Sequence, residues 1–242
     1  MHMARKRNLA LTPRAENKRT APPVEPPVQF TLPQIMQHFT ESMTSVKAQY
    51  DVADSLMNNQ KAENCKTVWR SQIVFAEGLL DFFIHEISKY CLFRMFTGSW
   101  DKSEKYESFK IPMSKVEQAI AATESKDWFF AYLNERFSRD VFLSKDNMKD
   151  QLNLIGIGFG PTMEKAFPAP NVEKSRQKGN KIIESQFKRR NEIAHQNDRS
   201  HSTAEQNDIT KEYVTEYISN IEKIVNAIYQ IAVEKDKMSN NP

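Results

Sequence analysis

Apolar and polar positions follow a helical period along most of this chain. Trp69, Ile73, Ala76, Leu80, Phe83, Ile87, Tyr90 or Cys91, and Arg94 or Met95 recur at spacings of three and four. That stripe is wide enough to serve as the core face of one long helix ending near Gly98. Upstream, Thr31-Leu-Pro-Gln-Ile35 has the form of a helix start, with Thr31 as the cap and Pro33 in the first turn, and predicts a helix running to about Met57. Residues 99–111 read as a polar loop. Shorter helices are predicted over 113–123, 126–137 (Trp128, Phe129, Tyr132, Leu133 and Phe137) and 147–155. Gly156-Ile-Gly-Phe-Gly160-Pro161 through Pro170 breaks the pattern and reads as a flexible joint. A penultimate helix is predicted from Val172 to about His195. A last one follows from about Glu205 to Lys235, with Tyr217, Ile221, Ile224, Ile228 and Ile231 on one face.

Composition agrees with this reading. The 242 residues include only six Gly, and no Pro interrupts Gln34 to Lys110 or occurs between Asn171 and Asn241. Folds that need Gly at phosphate turns or barrel corners are thereby disfavoured. The expected architecture is all-α, a helical bundle with long second, penultimate and last helices, occupying residues 31–236 as a single domain. A membrane span is excluded, because the most apolar stretch, Ile73 to Met95, is interrupted by Glu77, Asp81, His85, Glu86, Lys89 and Arg94. Cys65 and Cys91 read as buried thiols of a reducing compartment, and the expected location is cytoplasmic.

The net charge of +3 is unevenly spread. Residues 1–30 hold Arg5, Lys6, Arg7, Arg14, Lys18 and Arg19 against Glu16 and Glu25, together with five prolines. Such a segment reads as a disordered basic arm, either a solvated leader or an arm that contacts phosphates. Residues 237–242 read as a disordered tail. A second basic concentration, Lys174, Arg176, Lys178, Lys181, Lys188, Arg189 and Arg190 against Glu173 and Glu184, lies within the penultimate helix and would draw an anion.

Most constellations that suggest chemistry fail on context. The Gly156–Gly160 run has neither a preceding buried strand nor a following Gly-Lys-Ser/Thr, so it is not a phosphate loop. His195, Asp198 and His201 fit no usual zinc spacing, and neither a metal nor another cofactor is expected. The informative segment is Lys188-Arg189-Arg190-Asn191-Glu192-Ile193-Ala194-His195. It ends a helix, where the dipole favours a cation. At about 100° per residue Asn191 and His195 share a face, about 40° apart, whereas Arg190 lies about 140° from His195. One phosphate can meet both only if the helix loosens at its end or two copies of the motif meet across a two-fold axis. The alternative is that Arg and His occupy a last turn merely as dipole partners and caps. Asp81 and His85, at i and i+4, either enter the same cleft or form a buried hydrogen-bonded pair.

Arg190-Asn191-Glu-Ile-Ala-His195 resembles the signature of the HEPN superfamily. The helix Trp69-Arg-Ser-Gln-Ile-Val-Phe-Ala-Glu-Gly-Leu-Leu-Asp81-Phe-Phe-Ile-His85-Glu-Ile is similar to the long second helix of its bacterial RiboL-PSP-HEPN branch, and residues 126–155 resemble that branch's middle region. The likeness covers roughly residues 35–235 and departs at 156–170 and at the N-terminal arm. It implies an all-α, usually dimeric domain, often a metal-independent endoribonuclease of phage-defence, toxin–antitoxin or RNA-processing systems. Carried over, His195 is the acid and base, Arg190 the electrostatic clamp and Asn191 the residue that orients them. The basic stretch supplies Lys181, Lys188 and Arg189 as RNA-binding candidates, and Asp81 and His85 are the supporting candidates. The expected partners are RNA, a second copy, and an antitoxin or a defence-complex protein. The alternative within the same family is a non-catalytic interaction or RNA-binding subunit of a defence complex.

Overall fold

The computed structural model describes residues 28–121 and 125–239; the expected basic arm up to residue 27 and the last three residues of the expected tail lie outside them. Eight α-helices follow one another: α1 (Leu32–Asn58), α2 (Ala62–Phe96), α3 (Met113–Ala121), α4 (Asp127–Phe137), α5 (Lys145–Leu154), α6 (Phe159–Ala166), α7 (Val172–Gln196) and α8 (Lys211–Ser239). Among the described residues the only β pairing is an isolated bridge between Arg199 and Gln206. The fold is all-α. No helix among these residues is long and apolar enough to cross a membrane.

α1 starts where its sequence says it should. Thr31 and Gln34 form a reciprocal capping box, and Pro33 sits in the first turn. Its inward face (Ile35, Phe39, Met43, Val46) lies along α2, with a T-shaped Phe39–Phe83 pair at the seam. α2 is the axis of the bundle, packing against α1, α4, α7 and α8. Its stripe Ile73, Ala76, Leu80, Phe83, Ile87, Cys91 and Met95 is fully buried or nearly so. Each large apolar side chain so buried contributes roughly 1.5–3 kcal/mol, which makes this one face the chief source of the bundle's cohesion. Both cysteines are buried and free.

The far end of α2 is tied to the end of α8 by one carboxylate. Asp236 accepts from the Tyr90 hydroxyl at 2.5 Å and from the Trp100 indole N–H at 2.8 Å, with Arg94 at 3.3 Å. Trp100 is buried, so the segment after α2 is not a purely polar loop. α8 continues beyond its expected end, through residues expected to begin a tail, because this anchor holds its last turns.

Two further differences from the sequence pattern have physical causes. The Gly-rich stretch, expected to break helical structure, holds α6. Gly156 (φ +71°) and Gly158 (φ +82°) make the turn that α5 needs in order to reverse, and Phe159, Met163, Ala166 and Phe167 then bury against α7 and α8. α8 begins at Lys211 rather than near Glu205, because the preceding segment is tied back: the Asn207 amide donates to the Asp198 carbonyl at 2.8 Å and Ile209 is buried. Thr210 then caps the helix, accepting from the Tyr213 amide.

Candidate functional site

α7 carries the motif and is fixed at both ends. Asn171 caps its start, accepting from the Lys174 amide at 2.8 Å. At the other end Asn197 (φ +50°) and Asp198 (φ +58°) adopt left-handed backbone, which halts the helix immediately after His195 and Gln196. Asp198 is fully buried, and two guanidinium groups converge on it: Arg70 Nε donates to Oδ2 at 2.7 Å and Arg189 Nη2 donates to the same oxygen at 2.9 Å. Arg70 also donates to the Asn207 carbonyl, and Arg189 to the Asp208 carbonyl. Asp198 therefore faces inward as the anion of a structural cluster. Among the described residues no group of three or more His, Cys, Asp or Glu side chains stands close enough to hold a metal.

Arg190 is half-buried in the seam between α7 and α2. Its Nη1 donates to Asn191 Oδ1 at 3.0 Å, while its Nε is buried without a partner. Beside it lies Glu77, which interrupts the buried face of α2 and is itself almost wholly buried. Glu77 Oε1 lies 2.7 Å from the Tyr217 hydroxyl of α8, which also lies 2.8 Å from the Gln186 carbonyl of α7. Burial pushes the Glu77 carboxyl up to about 7, against the opposing influence of the Tyr217 hydrogen bond and the Arg190 charge. Tyr217 has one proton for two acceptors. A neutral Glu77 resolves that conflict: its O–H donates to the phenol oxygen, and Tyr217 donates to Gln186. The Tyr217 hydroxyl is in turn pushed up, first by burial and then by the neighbouring Glu77.

His195 is exposed on the last turn, on the same continuous helix as Arg190. Of the two ways to bring both side chains to one phosphate, loosening of the helix end is not what the structure shows; α7 keeps helical form through Gln196. Asn191 shares the side of His195 and already holds Arg190.

The remaining site candidates separate. Asp81 and His85 latch the segment after α4 to α2: Asp81 Oδ1 accepts from the Phe142 amide at 2.8 Å, His85 Nε2 donates to the Asp140 carbonyl at 3.1 Å, and the imidazole lies against the Phe142 ring. Among the described residues neither has a hydrogen bond or ion pair to Arg190, Asn191 or His195; they line a different hollow of about 360 Å³, with Phe82, Lys89 and Asn134. Lys181 and Lys188 are exposed, Lys188 with 78% of its side chain in solvent. Arg189 is the correction within the basic stretch: its guanidinium is committed to Asp198 and lies under the Tyr213 ring, rather than open to a phosphate. Arg176 is likewise occupied, by Glu164 at 2.7 Å. The open cations of α7 are thus lysines.

Glu77, Tyr217, Gln186 and Arg70 were missed as neighbours of the motif. A signal existed for Glu77, a carboxylate standing on the apolar face of a helix. Tyr217 was legible only as a core position, because its hydroxyl's partners come from two distant helices.

A family model described as RiboL-PSP-HEPN matches residues 47–234 and so takes in the whole of the Arg190–His195 motif. No curated protein and no solved structure matches the chain.

Proposed function

The chain belongs to the RiboL-PSP-HEPN family, and from that premise we propose that it is a metal-independent endoribonuclease acting as a homodimer in a toxin or phage-defence role. The observation that carries the reading is an exposed, unencumbered His195 at the tip of the helix that holds Arg190 in a half-buried seam. RNA brings its own nucleophile, so the protein's task is to manage protons and charge. His195 takes the proton of the 2′-OH, whose oxygen attacks the adjacent phosphorus. The P–O5′ bond breaks, the proton is delivered to the leaving 5′ oxygen, and a 2′,3′-cyclic phosphate and a 5′-hydroxyl result. Arg190 neutralises the charge that builds on the non-bridging oxygens, a task its planar fork performs better than an ammonium. Asn191 holds the guanidinium by its 3.0 Å hydrogen bond, and Lys181 and Lys188 attract the backbone on the approach. Because Arg190 and His195 diverge on a continuous helix, a second copy completes the site.

The test is cleavage of single-stranded RNA in the presence of EDTA. Activity is expected to persist, and to fall by about 10²-fold or more in both Arg190→Ala and His195→Ala. Undiminished cleavage by either variant would remove its assigned role, and loss of activity with EDTA would remove the metal-independent mechanism. The cellular role is checked by growth arrest on induction that His195→Ala relieves.

One observation favours the second reading, a non-catalytic RNA-binding or interaction subunit of a defence complex: Arg190 already has a carboxyl group, Glu77, beside it. Wild-type protein that binds RNA but cleaves none of many substrates would select that reading.

A further inference from the structure

We propose that the hollow between α2 and the end of α7, lined by Arg70, Val74, Phe75, Ile193, Asn197 and Gln206, binds one unpaired nucleobase of the RNA. This site rests on the ribonuclease reading above and adds to it a pocket that reads a base next to the scissile phosphate. The hollow encloses about 230 Å³, room for one flat ring system but not for a helix about 10–12 Å across.

Its place follows from the register of two helices. α2 and α7 run in opposite directions along their seam: Glu77 lies beside Arg190, Val74 and Ile193 share the hollow, and Arg70 donates to Asp198. Three residues separate Arg190 from Ile193, so the hollow begins about 4.5 Å beyond the arginine along α7. A single nucleotide spans that step, and a phosphate held at Arg190 has a neighbouring base at the mouth of the hollow.

The lining suits both the face and the edge of a base. Phe75 is 55% exposed although it belongs to the helix that organises the core, and an aromatic ring standing in water is a stacking platform. Val74 and Ile193 complete an apolar wall, which would leave a phosphate poorly solvated. On the polar side Asn197 ends α7 in left-handed backbone. Gln206 Nε2 donates to its carbonyl at 3.0 Å, whereas its carboxamide enters no hydrogen bond among the described residues. A primary amide sets an acceptor beside two donors, the pattern that pairs with a base edge through two hydrogen bonds. Arg70 is only 6% exposed; its Nε donates to Asp198 and its Nη2 to the Asn207 carbonyl, and its Nη1 is buried without a partner. Buried donors seldom go unpaired, and a base carbonyl or ring nitrogen supplies the acceptor this one lacks.

The test uses the full chain with His195→Ala, so that bound RNA stays intact. The probes are short single-stranded oligoribonucleotides of adenine, cytosine, guanine or uracil and an abasic strand of the same length, read by fluorescence anisotropy beside thermal melts. Phe75→Ala is expected to weaken binding of the base-bearing strands by about 5- to 100-fold and to leave the abasic strand unaffected, whereas Phe75→Trp, which keeps a ring face, retains binding. Asn197→Gly keeps the left-handed helix end, removes the carboxamide and is expected to flatten the preference among the four bases. Melting temperatures are expected to change little. Phe75→Ala that binds like the parent or loses the abasic strand equally, or a base preference that survives Asn197→Gly, would overturn the pocket. The two readings fail separately. Otherwise wild-type protein that cuts RNA, with no effect of either substitution, keeps the nuclease and removes the pocket; base-dependent binding by protein that never cuts does the reverse.

Discussion

Glu77 shows how one side chain links the core to the motif. Its carboxyl is raised from 4.5 to about 7 by burial, so the neutral form is the one the fold accommodates. The stability that depends on neutral Glu77 is fully present below the unfolded value near 4.5 and is lost as pH rises through about 7. Glu77→Gln keeps a neutral side chain of the same shape and is expected to flatten this dependence. Urea unfolding at pH 5 and pH 8 should show wild type losing about 2–3 kcal/mol more than the variant across the window; parallel losses would show that Glu77 does not govern it. The same residue scale marks the limit of sequence reading. The candidates Arg190, Asn191 and His195 could be named together because they are local in the chain, one short segment on one helix. The role of Asp198 was not legible, because it depends on Arg70, 128 positions away. A carboxylate next to a helix end can hold a metal, cap the helix or bury under guanidinium groups, and only the packing chooses.

At the scale of elements, seven of the eight helices were legible from apolar periodicity and start signals, although the last begins six residues later than expected. α6 escaped because its eight residues follow Gly158 and contain Gly160 and Pro161, residues that normally end helices. Pro161 stands in the first turn, where its missing N–H costs nothing, and Gly158 takes the positive-φ position that turns the chain into it. A β-carbon at Gly158 would also come within 3.2 Å of the Pro161 ring. Gly158→Ala is accordingly expected to destabilise the fold by about 1–2 kcal/mol, read as a lowered denaturation midpoint without a change in slope. An unchanged midpoint would mean that the turn tolerates another backbone geometry. With α6 packed on α7, the stretch once readable as a joint buttresses the motif-bearing helix.

For the molecule as a whole, the divergence of Arg190 and His195 makes oligomeric state and chemistry one question. Mixing Arg190→Ala with His195→Ala protein provides the check. If one copy's arginine serves the other's histidine, subunit exchange creates a heterodimer with one complete set, and cleavage reappears in a mixture of two inactive proteins. No recovery after verified exchange would place both groups within a single copy. The expected all-α bundle was legible from Gly and Pro usage together with the helical period. Which face stays open was not, since Phe75 and Phe82 are apolar residues like those of the core and differ only in what the folded chain leaves uncovered.

The Asp236 anchor turns Trp100 into an optical gauge of that assembled state. Its indole is buried and donates to a carboxylate on the last helix, so detachment of α8 removes both the hydrogen bond and the dry surroundings of the ring. Emission from Trp100, isolated by replacing Trp69 and Trp128 with Phe, should shift to longer wavelength when the end of α8 frays. Fluorescence then reports, in real time, how firmly the bundle is closed while RNA or a second copy is added.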